Sequence, residues 1–197
     1  MIRSIPQAYI WKVISILVVF LSIKLNHLYL EPDTFVPLIL AFAIASPVSA
    51  MFVWGADLTG QKTVADAGED DLSNLIASFC FGALPAIILS LIATKGDVKT
   101  VCFVLIIAIY RAIARYYTLV NIQANVASNR AQAGLTISEP ILWAIISATL
   151  IVLPTGNEAT NTLSQAFHVG ISASAALVIL LFIFPYHPRL TIGHFAK

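Results

Sequence analysis

Arg111 and Arg115 stand four residues apart inside an apolar run from Thr100 to Ile122. In a helix that step puts both guanidinium groups on one face, a turn apart. An arginine at the centre of a bilayer costs about 2.5–3.5 kcal/mol on insertion scales, and more in simulation. The pair must therefore face a protein interior or a water-filled cavity. A planar guanidinium with permanent charge suits a phosphate, pyrophosphate or carboxylate there. At about 100° per residue, Thr118, Asn121, Asn125 and Asn129 fall with the two arginines in one arc of roughly 120°. Cys102, Leu105, Ile109, Ile113, Tyr116 and Val120 take the opposite side. This pattern predicts a helix whose polar stripe walls a cationic cavity. The competing reading makes the arginines packing glue, tied to acids or to helix C-terminal carbonyls.

Three further side chains bear on that choice. Lys24 either adds a third positive charge to the cavity or snorkels to the membrane surface with its stem buried. Glu139, followed by Pro140, is either an N-terminal carboxylate held by the dipole of the fifth helix, or a coupling or ion-pairing residue facing Arg111 or Arg115. It is the only intramembrane acid placed to pair with them, which leaves at least one arginine without a neutralising charge. His168 lies among Ser164, Gln165, Ser172 and Ser174, as an interhelical hydrogen-bonding residue or a proton relay. Cys80 and Cys102 read as small buried apolar residues, because no metal-type spacing accompanies them. Arg130 and the acids Glu69, Asp70 and Asp71 read as solvated loop and helix-start residues. No phosphate-binding loop, nucleophile elbow, zinc signature or haem-ligand pair is present. No cofactor or metal is expected, and nothing argues for an enzyme.

The elements that position these residues follow from composition. Of the 197 residues, 59% are hydrophobic and 11% charged, where a soluble domain carries roughly 25% charged. The mean hydropathy is +0.89. The apolar stretches are continuous and do not alternate, which excludes a β-barrel reading. The expected fold is an all-α polytopic membrane protein, one transmembrane domain over 1–197, with about six helices near 8–30, 34–54, 72–94, 100–122, 136–153 and 163–184. The first is read as a retained signal anchor, since no cleavage site follows it. Pro37 falls in a first turn, while Pro47 and Pro85 sit in helix interiors where kinks are expected. A cytoplasmic N-terminus collects Arg3, Lys12, Lys62, Arg130, Arg189 and Lys197 on its own side, against Lys95 and Lys99 opposite. Both termini are therefore assigned to the cytoplasm. The net charge of +1 says nothing of partners, and no lysine/arginine-rich run points to nucleic acid or to an anionic-lipid anchor.

Several short stretches, read together, resemble one six-helix half of the polysaccharide and lipid-linked oligosaccharide flippases of the multidrug/oligosaccharidyl-lipid/polysaccharide exporter superfamily. These are the turn Glu31-Pro32-Asp33-Thr34-Phe35, the ending Trp54-Gly55-Ala56-Asp57 with its polar loop, and Tyr110-Arg111-Ala112-Ile113-Ala114-Arg115-Tyr116-Tyr117. Asn121 to Arg130 and the start Glu139-Pro140 complete the set. The likeness covers nearly the whole chain. It implies a cationic lumen between two six-helix halves, an anionic lipid-linked saccharide as substrate, and the bacterial inner (plasma) membrane as location. Arg111 and Arg115 would lie on that lumen, with Lys24 as a third member and Asn121 and Asn125 further along the same stripe. Rocking of helix bundles about Pro47 and Pro85 would move the substrate. The family carries twelve or more helices in one chain, so six helices imply a homodimer or a missing second half.

A second class of function fits the same residues. A non-transporting membrane subunit, or an immunity-type protein, would use its intramembrane polar groups to grip a partner's transmembrane helices.

Overall fold

The structure, a computed structural model, describes the backbone of residues 5–53, 73–124, 129–153 and 158–183. Within these it describes the side chains of 10–53, 75–120, 136–153 and 162–183. The described residues form six α-helices: α1 (Ile5–Tyr29), α2 (Pro32–Val53), α3 (Ser73–Ala93), α4 (Val98–Ala124), α5 (Asn129–Val152) and α6 (Glu158–Ile183). The expectations near 136 and 163 start seven and five residues late. Apolarity marks the part of a helix that lies in hydrocarbon, whereas the polar turns Asn129-Arg130-Ala131-Gln132 and Glu158-Ala159-Thr160-Asn161 continue the same helices outside it.

Four stretches are long and apolar enough to cross a bilayer: Ile10–Tyr29, Pro32–Val53, Leu75–Ala93 and Thr162–Ile183, of 19–22 residues. At 1.5 Å per residue they reach about 30 Å, the thickness of the hydrocarbon core. In α5 the apolar stretch is shorter, Thr136–Val152. The remaining helix, α4, is the longest and carries the arginines, and it is shielded from lipid by its neighbours. It touches α2, α3, α5 and α6. Phe103, Val104, Ile107, Ala108, Ala112, Tyr116 and Val120, which point around most of its circumference, are all fully buried. The chain is an all-α polytopic membrane protein.

Opposing faces build the core around α4. On α2, Leu38, Ala41, Ala45, Val48 and Phe52 recur every three or four residues and are buried. Val169, Ala173, Ala176 and Leu180 do the same on α6, and Leu142 and Ile146 complete the packing from α5. The alanines allow close helix approach where no hydrophobic drive separates helix from lipid. At the α2–α3 crossing, a Cβ on Gly82 would lie 1.9 Å from the Met51 carbonyl oxygen, so only glycine lets the two backbones meet.

Hydrogen bonds between helices fix direction and register. Lys99 Nζ donates to the Asp33 carbonyl at 3.1 Å and Arg111 Nη1 to the Phe42 carbonyl at 2.6 Å, so α4 and α2 run parallel. Ser15 Oγ donates to the Thr136 carbonyl at 2.8 Å and Asn26 Nδ2 to Ser147 Oγ at 2.9 Å. Each of these two bonds joins residues 121 positions apart, so α1 and α5 also run parallel and hold one register over three turns. Among the described side chains of α1, the three buried ones are all polar, namely Ser15, Ser22 and Asn26.

The α3–α4 connection is a tight cap on both sides. Gly96 N–H donates to the Leu91 carbonyl and Lys95 N–H to that of Ile92, closing α3 with Lys95 in the left-handed region at φ 54°. Asp97 then opens α4. Its carboxylate accepts the Thr100 N–H at 3.0 Å and the Thr100 hydroxyl, which together hold the carboxyl below the usual aspartate value.

Candidate functional site

Arg111 is the middle residue of the 27 in α4, which puts its guanidinium near the mid-depth of the bundle. It binds three groups on two other helices. Nε donates to Glu139 Oε2 at 3.1 Å, Nη2 donates to Glu139 Oε1, and Nη1 donates to the Phe42 carbonyl. The guanidinium carbon also lies 5.4 Å from the centre of the Phe42 ring, whose other neighbour is the stacked Trp143 at 3.6 Å. A fork-to-fork arginine–carboxylate pair at this depth joins α2, α4 and α5 at one point.

Glu139 lies ten residues inside α5 and not at its start, so the helix-dipole role expected for it does not apply. The apolar segment begins near Thr136, but the helix itself begins at Asn129. The other reading of Glu139, an ion pair with Arg111, is what the structure contains. Next to it, Tyr110 donates its hydroxyl to the Ser138 carbonyl at 2.8 Å, a second α4–α5 tie.

The pair is not sealed. The Arg111 side chain is 18% exposed and that of Glu139 36%. A groove of about 400 Å³ between α1 and α5 runs up to Glu139, walled by Ile16, Val19, Phe20 and Ile23 of α1 and by Pro140. It is open to the surface of the bundle, and Glu139 is its one charged lining residue.

The other expected site residues are dispersed. Arg115 is exposed, one turn beyond Arg111 on α4. Thr118, placed in the polar stripe by its spacing, is buried and donates to the Ala114 carbonyl of its own helix at 2.6 Å. Tyr116 and Val120, expected on an apolar face apart from the stripe, are equally buried. With α4 surrounded on most sides, the division into a polar and an apolar face does not describe it. Lys24 lies on the exposed face of α1, about 200° around the helix from both Ser22 and Asn26, which face the bundle. The side chain of Asn121 and all of Asn125 lie outside the described residues, as does Arg130's side chain. His168 is half-buried on α6, and its Nδ1 has no hydrogen-bond partner among the described residues. Cys80, expected to be buried, is exposed on α3, and Cys102 is half-buried.

Several polar contacts were not legible from residue types alone. Gln165 Nε2 donates to Thr34 Oγ1 at 2.8 Å, linking α6 to α2. Two others follow a rule that a sequence does contain. A proline inside a helix leaves the carbonyl four residues earlier without an amide donor. Pro37 so frees Asp33, whose carbonyl takes Lys99, and Pro140 frees Thr136, whose carbonyl takes Ser15. The first of these bonds lies at an exposed helix end, whereas the second is part-buried, where a neighbouring helix stands in for water.

Comparison with known protein families, with characterised proteins and with solved structures finds no match for this chain.

Proposed function

We propose that the chain is one half of a flippase-like carrier for an anionic lipid-linked saccharide, with the Arg111 guanidinium as the intramembrane anion site. The observation that carries this reading is the position of Arg111. A permanent cation is held at the centre of the bundle, its counter-charge is a single glutamate, and a groove open to the surface of the bundle reaches that glutamate. A phosphate or pyrophosphate offers the same bidentate acceptor geometry as the Glu139 carboxylate and can replace it on the guanidinium. Arg115, exposed one turn along, supplies a second cation to a head group with more than one charge. In the flippases that the chain resembles two six-helix halves enclose the lumen, so the carrier needs a second half, from another copy or another chain. The resemblance to the flippases supports the same substrate class and a bacterial inner membrane setting, and the lysine and arginine distribution supports cytoplasmic termini.

A direct test uses the full chain in lipid nanodiscs with farnesyl pyrophosphate as the probe. Saturable binding by the native chain, lost in the Arg111→Ala/Arg115→Ala variant with its helical content intact, supports the reading. Equal binding by both removes it.

One observation favours the second class of function. Arg111 is already neutralised within the chain and donates to three acceptors, as expected of a residue that holds helices together. A non-transporting subunit would keep that pair closed and present its exposed apolar faces to a partner's helices. Cysteine placed at 115 in a chain lacking Cys80 and Cys102 separates the two. A water-filled path labels with a charged thiol reagent, and a protein–protein seam does not.

A further inference from the structure

We infer that binding of an anion at Arg111 is coupled to uptake of one proton at Glu139, an inference that rests on the anion-carrier reading. In the structure the guanidinium and the carboxylate neutralise each other. Glu139 holds the bidentate Nε–Nη2 edge of the guanidinium, and Nη1 donates to the Phe42 carbonyl, so a phosphate that takes the bidentate edge displaces Glu139. Arginine keeps its proton throughout, so the displaced partner is the group that must change.

What surrounds Glu139 then decides its state. On α1 the groove wall in front of it is Ser15, Ile16, Val19, Phe20 and Ile23, with Thr136 and Pro140 beside it on α5. Two hydroxyls across the helix seams are committed elsewhere. Ser15 Oγ lies 2.8 Å from both the Thr136 and the Trp11 carbonyls, and the Tyr110 hydroxyl donates to that of Ser138. Among the described residues, the charged and titratable groups in the middle of the helices packed around it are Tyr110, Arg111, Arg115, Tyr116 and Tyr117 on α4 and His168 on α6. Lys12 and Lys24 of α1 lie on exposed faces, and α2 contributes at this depth the Phe42 carbonyl and no titratable side chain. Once Arg111 is taken by the anion, the carboxylate faces an apolar wall. An isolated carboxylate in such a setting is far costlier than a neutral carboxylic acid. It therefore binds a proton drawn from the solvent, its O–H bond forming as its two contacts to Arg111 break. One anion and one proton enter together: the anion gives Arg111 the single negative charge that the protonated Glu139 no longer supplies, and any further charge on the head group falls to Arg115. Release runs in reverse: loss of the proton restores the carboxylate, which reclaims Arg111 and expels the anion. The pair is thus the site's own return mechanism, and a proton gradient gives it a direction.

The test measures proton uptake on binding of farnesyl pyrophosphate to the full chain in nanodiscs, by calorimetry in two buffers of different ionisation enthalpy. The native chain is expected to take up about one proton more per probe bound than Glu139→Gln, and its affinity to rise by up to about tenfold per unit of pH lowered, a slope absent from the variant. Infrared difference spectra of the native chain, recorded on adding the probe, give a reading that needs no variant. A new protonated-carboxyl band supports the coupling. Binding with equal proton counts in the two proteins, or without that band, overturns the coupling and leaves the anion site standing. Absence of probe binding to the native chain overturns both.

Discussion

The Ser15 hydroxyl lies 2.8 Å from the Thr136 carbonyl, the carbonyl on α5 that Pro140 leaves without an amide donor. The proline thus leaves this acceptor free for Ser15, and α1 is held to α5 where α5 lacks one of its own backbone hydrogen bonds. A double-mutant cycle in detergent or bicelles reads this directly. Ser15→Ala should cost about 0.5–1.5 kcal/mol in the native background, the range for hydrogen bonds between membrane helices. In a Pro140→Ala background, where residue 140 again donates to Thr136, the same change should cost almost nothing.

Arg111 and Glu139 should behave as a unit in stability. Removing either partner leaves a charge at mid-depth with its opposite gone. Arg111→Met alone or Glu139→Leu alone should cost about 2–4 kcal/mol, somewhat below a fully buried pair because Glu139 is partly exposed. The double change to Met and Leu should recover much of that loss. Reversible unfolding of the three variants checks it, and additive losses would show that the two residues do not depend on each other.

Gly82 should tolerate no side chain. Its missing Cβ is filled by the Met51 backbone, which cannot swing aside as a flexible side chain could. Gly82→Ala should force α2 and α3 apart and cost about 1–3 kcal/mol, the scale of other overpacked sites. A melting temperature equal to that of the native chain would rule this close crossing out.

Asp97 makes stability depend on acid. Hydrogen bonds from Thr100, first from its hydroxyl and then from its N–H, lower the carboxyl's value from the ordinary 3.8. A group lowered in the folded state stabilises it fully above the ordinary value, and that contribution is lost as pH falls through the lowered one. Asp97→Ala should cost about 1 kcal/mol near neutral pH, as for other helix caps, and the gap should narrow steadily below pH of about 4. The difference in unfolding free energy between the two proteins against pH is the measurement.

How much of this could be read from the chain alone differs from residue to residue. Continuous apolar runs located all six helices, because hydrocarbon demands length and apolarity. The same criterion misplaced the starts of α5 and α6, since helices persist into polar surroundings. The cost of charge in a membrane singled out Arg111 and named Glu139 as an available partner. Which reading of Glu139 applies depends on whether it lies at a helix start or inside one, and so on that same misplaced boundary. Lys24, which the sequence left open between cavity and membrane surface, and Thr118 show what angular position leaves undecided. Angular position on a helix says which residues share a face, but which face meets the bundle is set by neighbours far away in sequence. For α1 the inward face proved to be Ser15, Ser22 and Asn26. The proline-freed carbonyls were legible in principle, although their partners, Lys99 and Ser15, were not.

The most direct test of an anion carrier built around Arg111 is lipid flipping in reconstituted vesicles. A fluorescent polyprenyl phosphate is placed in both leaflets, and a membrane-impermeant quencher is added outside. With the native chain, inner-leaflet fluorescence should decay well above the protein-free rate, and Arg111→Ala/Arg115→Ala should return it to that baseline. Decay at the protein-free rate with the native chain, or an equal acceleration by the double variant, would contradict the assignment of Arg111 as the transport site.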